Sequence, residues 1–306
     1  MSRWLKRAGV AQNHRREDLF LEIMPTRKAD AAKKSGPNPK KKIEHFYDAI
    51  SPLWKDLWGI HVHHGYWRTG KESKELAQEQ LTEELAMRAN IKQGARILDV
   101  GCGMGGSSIY LARKFNAETV GITLSPVQAG IAAQAAKKAG VNSTFIVMDA
   151  EKAKFAKPFD VVWSIEAVSH LNNPKNFFGL CERSLRPGGV IAVMDWFEAE
   201  GLTASQSKKY MGPIRRSMLV PSMTTRTEYL RFAAHHGFAV TFTKNISDQV
   251  AKSWDLGMEI ISKPKVWKAA LQEGKMLVDF LKGVDAMRKG FSTKSFDYGI
   301  LIARKL

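Results

Sequence analysis

The sequence has only two cysteines, Cys102 and Cys181, in 306 residues. That scarcity excludes a disulfide framework and a zinc site built from several thiolates, and it fits a reducing compartment. No run approaches the roughly 18 uninterrupted apolar residues that a membrane-spanning helix needs. The opening Met1-Ser2-Arg3-Trp4-Leu5-Lys6-Arg7 lacks the apolar centre of a secretory signal. A cytoplasmic protein is the expectation; the basic opening has the charge of an organelle transit segment, but Glu17, Asp18 and Glu22 interrupt it. Acidic residues are also in deficit, 30 against 47 Lys and Arg, which gives a formal charge of +17. Such a charge suits an anionic partner, whether nucleic acid, a membrane face or an acidic substrate, and carries no information on fold. Internal repeats at solenoid periods are absent.

Residues 1–42 hold 12 Lys or Arg against 4 Asp or Glu, a net of +8 that leaves +9 for the rest. Their Lys33-Lys34-Ser35-Gly36-Pro37-Asn38-Pro39-Lys40-Lys41-Lys42 run has no apolar periodicity, so 1–42 reads as a solvated, flexible extension. It is the candidate for peripheral contact with a membrane. Residues 43–306 form the expected domain, with a lid and helix over 43–94 and a core over 95–196. A substrate cap and C-terminal elements follow over 197–295, then a final strand over 296–306. Ile43 to Trp67 is crowded with aromatic and His residues, unlike a linker. Leu76, Leu81, Leu85 and Ala86 predict a helix within Lys71 to Asn90.

Beyond it, strand-like runs at Arg96–Val100, Thr119–Thr123, Ser143–Met148, Asp160–Ser164 and Val190–Trp196 alternate with helical ones. The helices are expected at Ser107–Asn116, Val127–Ala139 and Pro174–Leu185, with stops at Gly140 and Pro187-Gly188-Gly189. The pattern predicts an α/β fold with a mostly parallel sheet covered by helices on both faces. Phe238–Thr243 and Phe296–Ala303 add two strands that can pair as an antiparallel edge, for seven in all. The segment Phe197 to Thr224 is too long for an ordinary connection and reads as a helical substrate cap.

Ile97-Leu98-Asp99-Val100-Gly101-Cys102-Gly103-Met104-Gly105-Gly106 reads as a buried strand and the glycine turn after it, where a backbone approaches a cofactor closely. Gly101, Gly103 and Gly106 also satisfy the spacing of a dinucleotide site. Asp99 decides against that alternative: a carboxylate two residues before the first glycine attracts the ammonium of a methionine moiety and repels a pyrophosphate. The second strand also ends in Thr123 and Leu124 and offers no acid for a ribose hydroxyl. The reading is a Rossmann-like class I methyltransferase fold that binds S-adenosyl-L-methionine through Asp99, Gly101, Gly103 and Gly105. Thr123, Leu124 and Gln128 are expected beside the ribose, and Asp149 with Ala150 beside the adenine amino group. Ser125 and Pro126 start a helix as N-cap and first-turn residue.

Phe46-Tyr47-Asp48, Trp58 through Tyr66, Gly121 through Gln128 and Val162-Trp163-Ser164-Ile165-Glu166 together resemble the gamma-tocopherol methyltransferase group. That group is related to sterol C-methyltransferases and to natural-product N- and O-methyltransferases. The resemblance spans residues 43–304, and its Thr-Leu-Ser-Pro-Val-Gln segment is its most specific part. It implies that the missing second-strand acid is normal for the group. It implies also that Tyr47 and the Ser164-Ile165 backbone border the cofactor and that the aromatic N-terminal segment closes over it.

A methyl transfer needs an aligned acceptor and, where the acceptor carries a proton, a base. His170, at the carboxyl edge of the sheet, is the first candidate for base or orienting group, and a structural histidine holding its loop is the alternative. Glu166 is the second catalytic candidate, to orient His170 or to bind substrate, and simple pairing with a neighbouring cation is the alternative. His61, His63 and His64 lack Cys or carboxylate company in sequence, so a lid is read there and no metal site is expected. Trp196, Tyr210, Met211, Met218 and Met223 are candidates for the wall of an apolar pocket, which gives a small hydrophobic acceptor methylated at carbon, nitrogen or oxygen. The charge raises RNA methylation as a rival, but the basic tail lacks interleaved aromatics and no RNA-binding module is present. A non-catalytic cofactor-binding protein is the other rival. The sequence leaves the oligomeric state open.

Overall fold

The computed structural model describes residues 39–306, so most of the basic extension read at 1–42 lies outside the described residues. Helix α1 (Pro39–Trp58) starts inside that extension. Pro39 to Lys42, read as linker, form its first turn because proline is preorganised for the start of a helix and Lys40 finds two carboxylates. Ile43, Phe46 and Ile50 make its buried stripe. Helix α2 (Lys74–Arg88) follows, capped by Ser73.

The core then alternates as expected: β1 (Arg96–Val100), α3 (Gly106–Phe115), β2 (Glu118–Thr123), α4 (Pro126–Ala139), β3 (Ser143–Val147) and β4 (Phe159–Ile165). A single 3-10 turn over Val168–His170 precedes α5 (Lys175–Ser184) and β5 (Leu185–Glu198). Leu185 already pairs with Phe159, and a bulge intervenes before Val161 meets Val190. Pro187-Gly188-Gly189 therefore shapes that bulge; it does not stop a helix.

After β5 come α6 (Ala204–Gln206), a π-turn over Ser207–Met211, α7 (Gly212–Ser217), α8 (Arg226–His235) and β6 (Phe238–Asn245). Four helices, α9 (Ser247–Val250), α10 (Lys252–Ile261), α11 (Pro264–Glu273) and α12 (Lys275–Ser292), lead to β7 (Phe296–Lys305). The sheet has seven strands in the order β3-β2-β1-β4-β5-β7-β6, and β7 runs antiparallel to both of its neighbours. Side chains alternate across it. Ile97, Val161 and Ala192 join one buried cluster with Leu81 and Leu85 of α2, whereas Leu98, Val162 and Ile191 join the other with Phe177 and Phe178 of α5. Both faces are dry, so each central strand reads as a continuous apolar run.

Asp195 is one of the charged side chains buried within this sheet. Asp195 of β5 accepts hydrogen bonds from the Ser169 N–H (2.8 Å), the Ser169 hydroxyl (2.9 Å), the Trp196 N–H (2.8 Å) and the Tyr229 hydroxyl (3.1 Å). Burial pushes its carboxyl up to about 7, while the hydrogen bonds from Trp196 and Ser169 act in the other direction. The contacts fix the turn that carries His170. Asp195→Ala strands these donors in the interior and is expected to cost about 3–5 kcal/mol in a urea titration, with Asp195→Asn milder. A loss below about 1 kcal/mol would contradict this account.

Candidate active site

The carboxyl ends of β1 to β4 open on one edge of the sheet, the place where parallel α/β sheets bind ligands. A cleft of about 820 Å³ crosses them. Gly101 and Gly103 after β1, Thr123, Leu124 and Gln128 around the start of α4, and Asp149 and Ala150 after β3 line it. Ile165, Glu166 and His170 line its far side, and Tyr47 closes it from α1. At Gly101, φ is +75° and an added Cβ would lie 2.2 Å from that of Ala167, so only glycine fits.

Asp99 sits at one end, in a side pocket that shares Gly101, Gly103, Val62 and Ile165 with the main cleft. It is 2 % exposed, and its Oδ2 accepts from the Ser108 hydroxyl at 2.6 Å. Its other oxygen has no hydrogen bond among the described residues. Burial pushes this carboxyl up to about 7, against the Ser108 bond. At the opposite end Ile122, Leu124, Met148 and Ala150 form an apolar slot. The Thr123 hydroxyl donates to Gln128 Oε1 at 2.9 Å, which leaves the Gln128 amide N–H groups for a ligand. A carboxylate with a spare oxygen, an amide donor and an apolar slot fit the ammonium, ribose and adenine of S-adenosylmethionine.

Several expected contacts are placed differently. Ser164 is fully buried and donates to the Val100 carbonyl at 2.8 Å, so it braces two strands and only Ile165 borders the cleft. Gly105 is the left-handed N-cap of α3 and packs on Phe145 and Ala132, away from the cleft. Asp149 already has partners: Lys40 Nζ at 2.6 Å and the Glu151 N–H at 3.0 Å. Ser125 caps α4 and also donates to Asp48 of α1. Thus α1 is strapped across the cleft by Lys40 at one point and Asp48 at another.

His170 departs from the reading as a base. Its Nδ1 contacts the Leu219 carbonyl at 3.1 Å, so Nδ1 carries the proton and Nε2 accepts from the Tyr47 hydroxyl at 3.1 Å. Burial lowers it to about 4, against opposing effects of the Leu219 bond and Glu166. With both nitrogens engaged and its pKa far from neutrality, His170 suits the orienting role, holding Tyr47 at the cleft. Burial, with Glu166 and Asp195 nearby, pushes the Tyr47 phenol up.

Glu166 stands between two cavities. It adopts φ +54°, an unusual strained conformation for a non-glycine residue. Its Oε1 accepts from the His64 N–H (2.8 Å), His64 Nδ1 (2.8 Å) and the Tyr298 hydroxyl (2.7 Å). Burial alone would raise it, but His64 and these bonds outweigh that and hold it below the ordinary carboxylate range. The three His residues are engaged with one another and with the fold: His61 Nδ1 lies 3.0 Å from His63 Nε2, and His63 Nδ1 donates to the His64 carbonyl.

The second cavity, about 680 Å³, meets the cofactor cleft at Tyr47, Val62 and Glu166. Phe46, Ile50, Trp54 and Trp58 of α1, Trp254 and Gly257 of α10, and Phe280 and Val284 of α12 wall it. Of the five pocket residues expected from sequence, Trp196 and Met218 line it; Met211 and Met223 lie in the hydrophobic core, and Tyr210 is outside the wall. The aromatic roof on α10 and α12 went unread. Its signal was the buried Leu277, Leu281, Val284 and Met287 series at helical spacing.

Among known proteins, the chain is 30% identical to a chloroplastic tocopherol O-methyltransferase of Arabidopsis thaliana over 290 residues, 87% of this chain and 82% of that one. Its fold superposes with a TM-score of 0.77 on the [4+2]-cyclase SpnF, at 25% identity, covering 87% of this chain and 96% of that chain. The TM-score is also 0.77 to the mycolic acid cyclopropane synthase CmaA1 complexed with SAH and CTAB, at 21% identity, covering 87% and 98%. Fold, glycine turn and cleft together define an S-adenosylmethionine-dependent methyltransferase of class I. The sequence profile of the mycolic acid cyclopropane synthetase family matches residues 37–298, and the chain belongs to that family.

Since Asp99 is held near 7 by burial, an ammonium beside it requires the carboxylate to ionise. Affinity for S-adenosylhomocysteine, which carries the same ammonium, is expected to fall by up to about tenfold per pH unit as pH drops from 7 to 5. Asp99→Asn should weaken binding by roughly 100-fold at pH 8 and flatten that dependence in calorimetry. Unchanged affinity would remove Asp99 from the ammonium site.

Proposed function

We propose that this enzyme transfers a methyl group from S-adenosylmethionine to a hydroxyl group on a lipophilic, aromatic or terpenoid small molecule. The observation that carries the reading is the aromatic cavity joined to the cofactor cleft at Tyr47, Val62 and Glu166. Its wall of four Trp, two Phe, Ile50 and Val284 suits an apolar guest. Among the described residues its wall contains no Lys or Arg, which argues against a polynucleotide acceptor. The tocopherol O-methyltransferase relative and the CTAB bound with SAH in the CmaA1 structure support a lipophilic guest. In this reading Tyr47, held by His170, and the Val62 loop align the acceptor at the junction. The bound cofactor supplies an electrophilic methyl group. The chain supplies exclusion of water and orientation.

The proposal extends to a cytoplasmic enzyme whose basic residues 1–42, net +8, draw it to anionic membranes where lipophilic acceptors partition. Incubation with methyl-labelled S-adenosylmethionine and a panel of prenylated phenols, hydroxylated diterpenes, sterols and RNA tests the acceptor class by mass spectrometry. One added methyl on a lipophilic hydroxyl compound is expected; labelling of RNA alone would overturn the proposal. Val284→Phe, which narrows the cavity, should raise the acceptor KM by roughly tenfold while leaving S-adenosylhomocysteine affinity unchanged.

A further inference from the structure

The loop over residues 59–67 reaches the junction of the two cavities with Val62 and lines the aromatic cavity with His63 and His64. Its backbone is held on several sides: the Trp58 indole donates to the His63 carbonyl (3.1 Å), Gln78 to the His61 carbonyl (2.7 Å), and Gly65 N–H to Ser253 (2.9 Å). The His64 ring packs edge-on to Trp254 at 4.4 Å and against Tyr298 at 5.2 Å. Its position is set before any ligand arrives.

The ring has one engaged nitrogen and one spare one. A carboxylate held ionised by three donors can only accept, so His64 Nδ1 carries the proton toward Glu166. With that proton on Nδ1, Nε2 is the nitrogen left to present a lone pair. Nε2 has no hydrogen bond among the described residues and is not one of their sealed polar atoms, and His64 lines the aromatic cavity. His170 offers no such nitrogen.

Resting on the hydroxyl-acceptor reading above, we infer that His64 is the general base of the transfer, with Glu166 as the residue that positions it and balances its charge. The step is a displacement. The acceptor oxygen bonds to the methyl carbon, the carbon–sulfur bond breaks with its electron pair left on the formerly positive sulfur, and the hydroxyl proton passes to His64 Nε2. The imidazolium formed faces Glu166, the same division of labour as in a carboxylate–histidine pair of a hydrolase. The strained backbone of Glu166 is explained by this placement, since it turns the carboxylate from the end of β4 toward the loop.

His64→Gln is a suitable test because the backbone N–H of residue 64 still reaches Glu166 and keeps the loop docked. With a hydroxyl acceptor from the panel, kcat should fall at least about 100-fold, with KM and S-adenosylhomocysteine affinity within about threefold of wild type. Glu166→Gln should lower kcat about tenfold or more. A kcat for His64→Gln above a tenth of wild type would overturn the inference. Nitrogen NMR of full-length protein labelled with [15N]histidine and saturated with S-adenosylhomocysteine gives a readout that needs no acceptor. A His64 signal with protonated Nδ1 and bare Nε2 supports the dyad, and a proton resident on Nε2 overturns it. If the wild type methylates no hydroxyl compound, the function reading fails on that panel, and the nitrogen spectrum still decides the state of the dyad.

Discussion

One carboxylate oxygen holds three parts of this enzyme together. Glu166 Oε1 gathers the loop before α2 through His64, the end of β4 through its own backbone, and β7 through Tyr298. It is buried, so the donors it has collected cannot be exchanged for water without loss. It also lies where the cofactor cleft meets the aromatic cavity, so the group that ties these elements together borders both cavities.

The second organising element is α1, a helix that belongs to the cofactor cleft as much as to the acceptor cavity. Tyr47 touches both, Lys40 and Asp48 tie it to the rim of the sheet, and Phe46, Ile50, Trp54 and Trp58 supply much of the apolar wall. Lys40 holds Asp149, the carboxylate on the cleft wall that the sequence reading expected beside an adenine, so the strap over the cleft ends on a residue of its lining.

The parallel core was legible because strands buried on both faces leave continuous apolar runs between glycine turns; Ile97 and Leu98 diverge to opposite clusters and both had to be apolar. The lining of the cleft after β1 was legible for a related reason, since Asp99 and Gly101 lie within one turn. What escaped the sequence was set by distance along the chain. Pro39 to Lys42 looked like solvated linker until Asp149 and Glu151 came beside Lys40. His64 was visible as a residue, but Glu166 is 102 positions away, and nothing local distinguishes a lid histidine from one aimed by a carboxylate. His170 was read as base or orienting group, with a structural histidine as the alternative, because its usual pKa allows the first; burial and the Leu219 carbonyl favour the orienting and structural readings.

The place of β7 has a consequence for how such a chain is made. Among the described residues β6 pairs only with β7, and β7 follows it by the whole of α9 to α12. On the ribosome β6 therefore emerges without a neighbour and remains an open edge until residues 296–305 appear and slide between it and β5. Completion of the sheet is a late, long-range event, and until then the half-made protein carries an unpaired strand edge.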